Sequence, residues 1–226
     1  MNDIWFTGDT HFDHGNIIPY CKRPWIRDGD LENGEFWDLD AKDERTNEMN
    51  EALIENWNDL VRPGDMVYHV GDFAFSRSHK RVEELIDRLN GQICLILGNH
   101  DKGPVKKARG FGWIDKLRRI KVGDQNIILC HYAMRVWKMS HRGSWHLYGH
   151  SHGTLPDDPG LLSMDVGVDC WDYKPIPFEM VREAMSKKQF VPVDHHTGPG
   201  RRKPIERRNI SVPLGDPHEN VHSDQG

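Results

Sequence analysis

Gly98-Asn99-His100-Asp101 follows directly on the apolar run Ile93-Cys94-Leu95-Ile96-Leu97. A buried strand that ends in a glycine turn and then presents a carboxamide, an imidazole and a carboxylate places chemistry on a strand-end loop. Asn99 can offer a carbonyl oxygen to a metal or a donor to an oxyanion, and His100 can exchange a proton near neutral pH. Asp101 can fix the tautomer of a neighbouring imidazole. Four other segments have the same character: Asp9-Thr10-His11, Gly71-Asp72, His131 and Gly149-His150-Ser151-His152. Their donors are carboxylate, imidazole and carboxamide oxygen, which suit Mn, Fe, Zn or Ni. No cysteine is among them, which disfavours a structural zinc site. Seven donors exceed the needs of one tetrahedral ion, whereas a two-metal site with a bridging carboxylate uses them all. Two cations roughly 3.5–4 Å apart generate hydroxide at neutral pH and clamp a phosphoryl oxygen.

The pattern of apolar residues supplies elements to position these groups. Residues 4–7 read as a strand ending at Asp9. Residues 44–61 read as a helix with Met49, Ala52, Leu53, Trp57 and Leu60 on one face. Residues 66–70 make a second strand ending at Gly71-Asp72, residues 78–90 a second helix, and residues 92–97 a third strand. Residues 121–130 read as a hairpin turning near Gly123-Asp124, with His131 at its exit. Strands over 145–148 and 161–168 and a helix over 177–187 complete the set. In an alternating α/β chain the C-terminal ends of parallel strands gather along one edge, so groups spread over some 140 residues can converge. Residues 19–43, rich in Pro, Gly and Asp, read as an exposed insertion. Residues 194–226 hold many Pro, Gly, Arg and His, and read as a flexible tail after a domain spanning 1–193.

Each segment alone has an ordinary explanation: a capped loop for Asp9-x-His11, a turn for Gly71-Asp72, a satisfied strand-end histidine for His131. The ordered set of five is far more specific. It resembles the calcineurin-like metallophosphoesterase superfamily, whose ordered blocks read D-x-H, G-D, G-N-H-[DE], H and G-H-x-H. The resemblance implies a two-layer β sandwich flanked by helices, an α/β fold with a dinuclear metal site at the strand C-terminal ends. It implies Asp9, His11 and His152 as ligands of one ion, Asp72 as the bridge, and Asn99, His131 and His150 as ligands of the second. His100 then protonates the leaving alcohol, and Asp101 holds His100 in orientation. Two divalent ions are implied, manganese first, with Fe, Zn, Ni or Mg as alternatives. The Ser/Thr protein phosphatase branch carries G-D-x-x-D-R-G, and its phosphate-gripping Arg would align with Ser76; Arg77 stands one position late. The blocks look more like small bacterial and phage phosphoesterases.

Other residues remain open to two readings. His14 is an outer-shell group or a helix-start polar residue. Arg135 and Trp137 line the pocket or belong to an exposed loop. His69 reads as core, Asp165 and Asp169 as a structural turn, and for His79, His141 and His146 the sequence identifies no matching motif. The chain has 226 residues, net charge −5, four cysteines and fourteen histidines. That balance argues against a general polyanion binder. The unpaired cysteines suggest a reduced, cytoplasmic setting. No run approaches the ~20 apolar residues of a membrane span, and the first strand begins too near Met1 for a signal peptide. The expected partner is a small phosphate-ester substrate, a phosphodiester rather than a monoester. A nuclease is the alternative, kept open by Arg201-Arg202-Lys203 and Arg207-Arg208, although nucleic acid is not otherwise indicated. A non-catalytic scaffold is disfavoured, because no ligand position is lost. Oligomeric state is not legible.

Overall fold

The structure, a computed structural model, describes residues 2–193. The basic and Pro-rich segment 194–226 lies outside the described residues. The elements run β1 (Ile4–Thr7), α1 (Ile17–Tyr20), β2 (Leu31–Glu32), β3 (Glu35–Phe36), α2 (Leu39–Asn58), β4 (Met66–His69) and α3 (His79–Asp87). They continue with β5 (Gln92–Ile96), α4 (Gly103–Lys107), β6 (Trp113–Asp115), β7 (Leu117–Val122), β8 (Gln125–Cys130), β9 (Trp145–Tyr148), β10 (Ser163–Asp165), β11 (Ile176–Pro177) and α5 (Phe178–Ser186). Two sheets form the body, a five-stranded one in the order β11-β1-β4-β5-β6 and a four-stranded one in the order β10-β9-β8-β7. In the first, β1, β4, β5 and β6 are parallel and β11 is antiparallel. In the second, β8, β9 and β10 are parallel and β7 closes a hairpin onto β8. The fold is therefore a mixed α/β sandwich flanked by helices.

Strand periodicity divides the core. Successive side chains on a strand face opposite ways, so Trp5 and Val67 pack with Met49, Leu53 and Trp57 of α2 and Val82, Leu85 and Ile86 of α3. Phe6, Val70 and Ile96 join Ile127, Leu129, Leu147 and Met164 of the second sheet, with Val181 and Met185 of α5. The strand ends are thus held rigidly from both sides.

Several elements differ from the sequence expectation. Helix α2 starts five residues earlier, because Asp38 accepts a hydrogen bond from Asp40 N and caps it. The 19–43 segment is not a loose insertion: Arg23 and Asp30 within it are buried, and β2 and β3 pair in it. The strand expected over 161–168 narrows to β10, since Asp165 Oδ1 accepts from Gly167 N and turns the chain. Strands β6 and β11, too short to show a period, were not expected.

Candidate metal centre

Loops at the C-terminal ends of β1, β4, β5, β8 and β9 bring Asp9, His11, Asp72, Asn99, His131, His150 and His152 together. The ligand atoms of Asp9, His11 and His152 lie within 4.8 Å of one another, and so do those of Asp72, His131 and His150. Asp72 Oδ2 stands between the groups, 3.5 Å from His11 Nε2 and 3.3 Å from His131 Nε2. Asn99 Oδ1 lies 2.9 Å from both His131 Nε2 and His150 Nδ1. Asp9 ties the two sheets by accepting from His150 N.

The backbone is bent to make this convergence. Asp9, His11, Asp72, His150 and His152 all have positive φ, between 46° and 70°. Such non-glycine conformations cost on the order of 1–3 kcal/mol each and gather at functional sites. The spacing is tight as well: a Cβ at Gly98 would collide with Asp72 Oδ1, and one at Gly149 with Asp9 Oδ2.

Hydrogen bonds occupy Nδ1 of three imidazoles. His131 Nδ1 donates to Val70 O at 2.9 Å, and His152 Nδ1 donates to Asp169 Oδ2 at 2.7 Å. His11 Nδ1 pairs with His14 Nδ1 at 2.9 Å. With Nδ1 engaged, Nε2 is the nitrogen of each ring that would carry the lone pair for a metal once its proton is released. His11 Nε2 is buried without a hydrogen-bond partner, although it faces Asp72. Such an atom is costly unless something else meets it. The donor set and this orphaned nitrogen fit divalent cations.

The electrostatics have the same cause. Burial pushes the Asp9 carboxyl up to about 7, against the fields of His152 and His131. Burial would lower His152, but its bonds to Asp169 and Cys21 and the charge of Asp9 carry it to about 10. Burial would raise Asp72, yet the His131 hydrogen bond and charge hold it below the usual carboxylate range. His14 is pushed down to about 4, first by burial and then by the positive fields of His100 and Arg23. It is neutral at pH 7 and can accept from His11.

The structure corrects the role given to Asp101. Its hydrogen bonds go to backbone, with Oδ2 accepting from Asp72 N and Gly98 N at 2.8 Å and Oδ1 from Phe73 N at 2.9 Å. It braces the loop after β4 against the loop after β5 instead of orienting His100. His100 lies beside His11 and His14, with ring centroids 5.2 and 5.4 Å away. Asp169 is not a mere turn residue, because it holds His152 and is itself gripped by Arg23. Trp137 is buried and bonded to Ser144 and does not line the cleft beside His100, and Arg135 is exposed. His146 has partners after all: Nδ1 donates to Ile128 O, and Nε2 accepts from Met134 N. His69 is buried against Thr10 Oγ1.

Sequence reasoning missed Arg23. Its guanidinium, fully buried, donates from Nε and Nη2 to Asp169 at 2.9 and 2.8 Å, from Nη1 to Thr10 O at 3.0 Å, and from Nη2 to Asp9 O at 2.7 Å. It therefore fixes the Asp9 loop and, through Asp169, His152. Cys21, near His152 and Asp169, was also missed. No periodicity or motif marks either residue, and Asp169 is 146 positions from Arg23.

Beside this centre opens a cleft of about 900 Å³, reached at His14 and His100 and walled by Lys42, Phe75, Arg77 and Lys102. Among the described residues no helix is long and apolar enough to cross a membrane.

Comparison with known proteins gives a consistent result. The profile of the calcineurin-like phosphoesterase family matches residues 3–220. A protein of Methanocaldococcus jannaschii is 33% identical over 197 residues, covering 84% of this chain and 96% of its own. A gene 66 protein of a Mycobacterium phage is 25% identical, covering 82% of this chain and 97% of its own. Among solved structures, an Aquifex aeolicus protein of unknown function superposes with a TM-score of 0.58 at 20% identity, covering 81% of this chain and all of that one; this likeness concerns the fold.

Proposed function

Because the chain belongs to the calcineurin-like phosphoesterase family, whose members hydrolyse phosphoric esters, we propose that it is a two-metal phosphodiesterase acting on a small substrate. The observation that carries this reading is Asp72, whose carboxylate faces one donor group through His11 and the other through His131. We assign Asp9, His11 and His152 to one ion, Asn99, His131 and His150 to the second, and Asp72 to both. When bound, two divalent cations there supply Lewis acidity toward phosphoryl oxygens and a nucleophile at neutral pH. Manganese is the first candidate for this oxygen- and nitrogen-rich set.

The chain's own residues do the rest. Asp72, Asp9 and the imidazoles are preorganised, so little reorganisation is left for the reaction. His100 stands between the donor groups and the cleft and gives its proton to the leaving oxygen. Asp101, Arg23 and Asp169 position these groups without touching substrate. A diester is favoured over a monoester because the only guanidinium bonded into the centre among the described residues, that of Arg23, is committed to Asp169 and two carbonyls. Four free cysteines fit a reducing compartment, the cytoplasm.

The test compares bis(p-nitrophenyl) phosphate with p-nitrophenyl phosphate in the presence of manganese. The diester is expected to be cleaved faster, and His100→Ala is expected to lose about 10²–10⁴-fold, the range of general acid catalysis. Unchanged turnover in that variant would sink the role given to His100.

A further inference from the structure

We propose that the cleft beside His100 is a leaving-group subsite for a nucleotide, taking a flat ring on Phe75 and a second negative charge among Lys42, Arg77 and Lys102. The inference rests on the reading of His100 as the acid. A residue that protonates the departing oxygen must be adjacent to it, so the departing group occupies the space on the far side of His100 from the metal donors. That space is the cleft of about 900 Å³, which His100 and His14 line, a volume typical of small-molecule sites.

Its walls describe the occupant. Phe75 is 44% exposed. Its ring stacks on His14 with centroids 4.4 Å apart and planes 19° from parallel, and it meets His100 edge-on at 5.9 Å. The His14–Phe75 stack is a platform anchored to the centre through His11. Exposed aromatic rings of this kind stack on flat heterocycles.

The charges are equally particular. Lys42, Arg77 and Lys102 line the same cleft, and none pairs with a carboxylate among the described residues. Lys102 lies over the Phe75 ring, 6.0 Å from its centroid. Two carboxylates also reach the wall, Asp13 and Asp43. Asp13 is already neutralised by a two-pronged bond to Arg81 at 3.0 Å and by Asn50. Three cations therefore oppose one uncompensated carboxylate. A surplus of that sign beside an aromatic platform suits a ring that carries a phosphate. A neutral alcohol would leave the cations unused, and a bare inorganic anion would leave the ring unused.

The probes are adenosine monophosphate, adenosine and inorganic phosphate, each as an inhibitor of bis(p-nitrophenyl) phosphate hydrolysis by the full-length, manganese-loaded protein. The monophosphate is expected to bind at least about tenfold tighter than either other probe, because stacking and charge act together. Arg77→Ala combined with Lys102→Ala should weaken the monophosphate by about tenfold while changing inorganic phosphate by less than about twofold. Phe75→Ala should weaken the monophosphate and adenosine by about tenfold each. A decanucleotide single strand that binds far tighter than the monophosphate, with salt sensitivity, assigns the leaving group to a nucleic-acid strand; equal binding assigns it to a free nucleotide ester, and both sustain the subsite. The proposal is overturned if the monophosphate binds no tighter than inorganic phosphate, or if the cleft variants weaken both equally. Absence of any hydrolysis would instead refute the enzymatic reading. Calorimetric titration of the monophosphate into the same variants then decides the subsite, and binding insensitive to them overturns it.

Discussion

Replacing Arg23 by lysine keeps a positive charge beneath the metal donors but removes the planar fork. Arginine presents donors in two directions at once; lysine presents one ammonium on a flexible stem. In place of four hydrogen bonds to Asp169, Asp9 O and Thr10 O, the ammonium can satisfy about half. The two lost bonds, at about 1.5 kcal/mol each for charge-assisted pairs, come to about 3 kcal/mol. That is close to the cost of breaking a buried ion pair. At roughly 2–4 °C per kcal/mol for a domain of this size, the midpoint should fall by about 6–12 °C. The loss is not only structural. Asp169 would no longer be held against His152 Nδ1, so manganese affinity should drop about 10–100-fold, the usual effect of losing an outer-shell partner.

The assay is thermal and urea unfolding together with a manganese titration of turnover, on Arg23→Lys, Asp169→Asn and the double variant. The pair should show a coupling energy of about 0.5–3 kcal/mol in stability and in metal affinity. The reasoning is refuted if Arg23→Lys changes stability by less than about 0.5 kcal/mol and leaves manganese affinity alone, or if the two substitutions simply add.

Two further predictions concern buried carboxylates. Burial would raise Asp65, but hydrogen bonds from Arg62 N, Asp3 N and Trp5 Nε1 hold its carboxyl below the ordinary value of 3.8. Its contribution is therefore full above pH 4 and is lost as pH falls through the depressed folded value. Asp65→Asn should lose about 1–3 kcal/mol at pH 7, with the gap to the wild type narrowing in unfolding curves below pH 4; a gap that widens in acid refutes the assignment. Asp101→Asn places an amide donor against one of three backbone N–H groups. It should cost about 2–3 kcal/mol and lower kcat by loosening Asp72, visible as a weaker response to added manganese. An effect confined to the protonation step, with metal response intact, would restore the His100-orienting role.

The parts of this molecule that were legible in the sequence are those with a local signature. The runs that form β1, β5 and β9 are short, apolar and bounded by glycine, and the loop donors follow them within two or three residues. The apolar faces of α2 and α3 carry their own periodicity. What was hidden depends on distant partners. Arg23 sits in a Pro- and Asp-rich stretch that looks solvated, and only folding brings it to Asp169. Asp169 follows β10, a parallel neighbour of β9, so it reaches the same sheet edge as His150 by topology that three residues of strand do not announce. Asp101 follows His100 in the chain, which suggests a pair, but its side chain turns to the backbone of the neighbouring loop. The Phe75 platform shows in neither periodicity nor motif, because it depends on His14 lying under it.

The central claim is that one chain holds two divalent cations through a shared Asp72. Elemental analysis of manganese bound to the purified protein after equilibrium dialysis, for wild type and Asp72→Asn, tests it most directly. Two ions per wild-type chain are expected, with loss of at least one and collapse of diester hydrolysis in Asp72→Asn. A wild-type protein that saturates with one ion or none, or an Asp72→Asn protein that keeps both, would contradict the account.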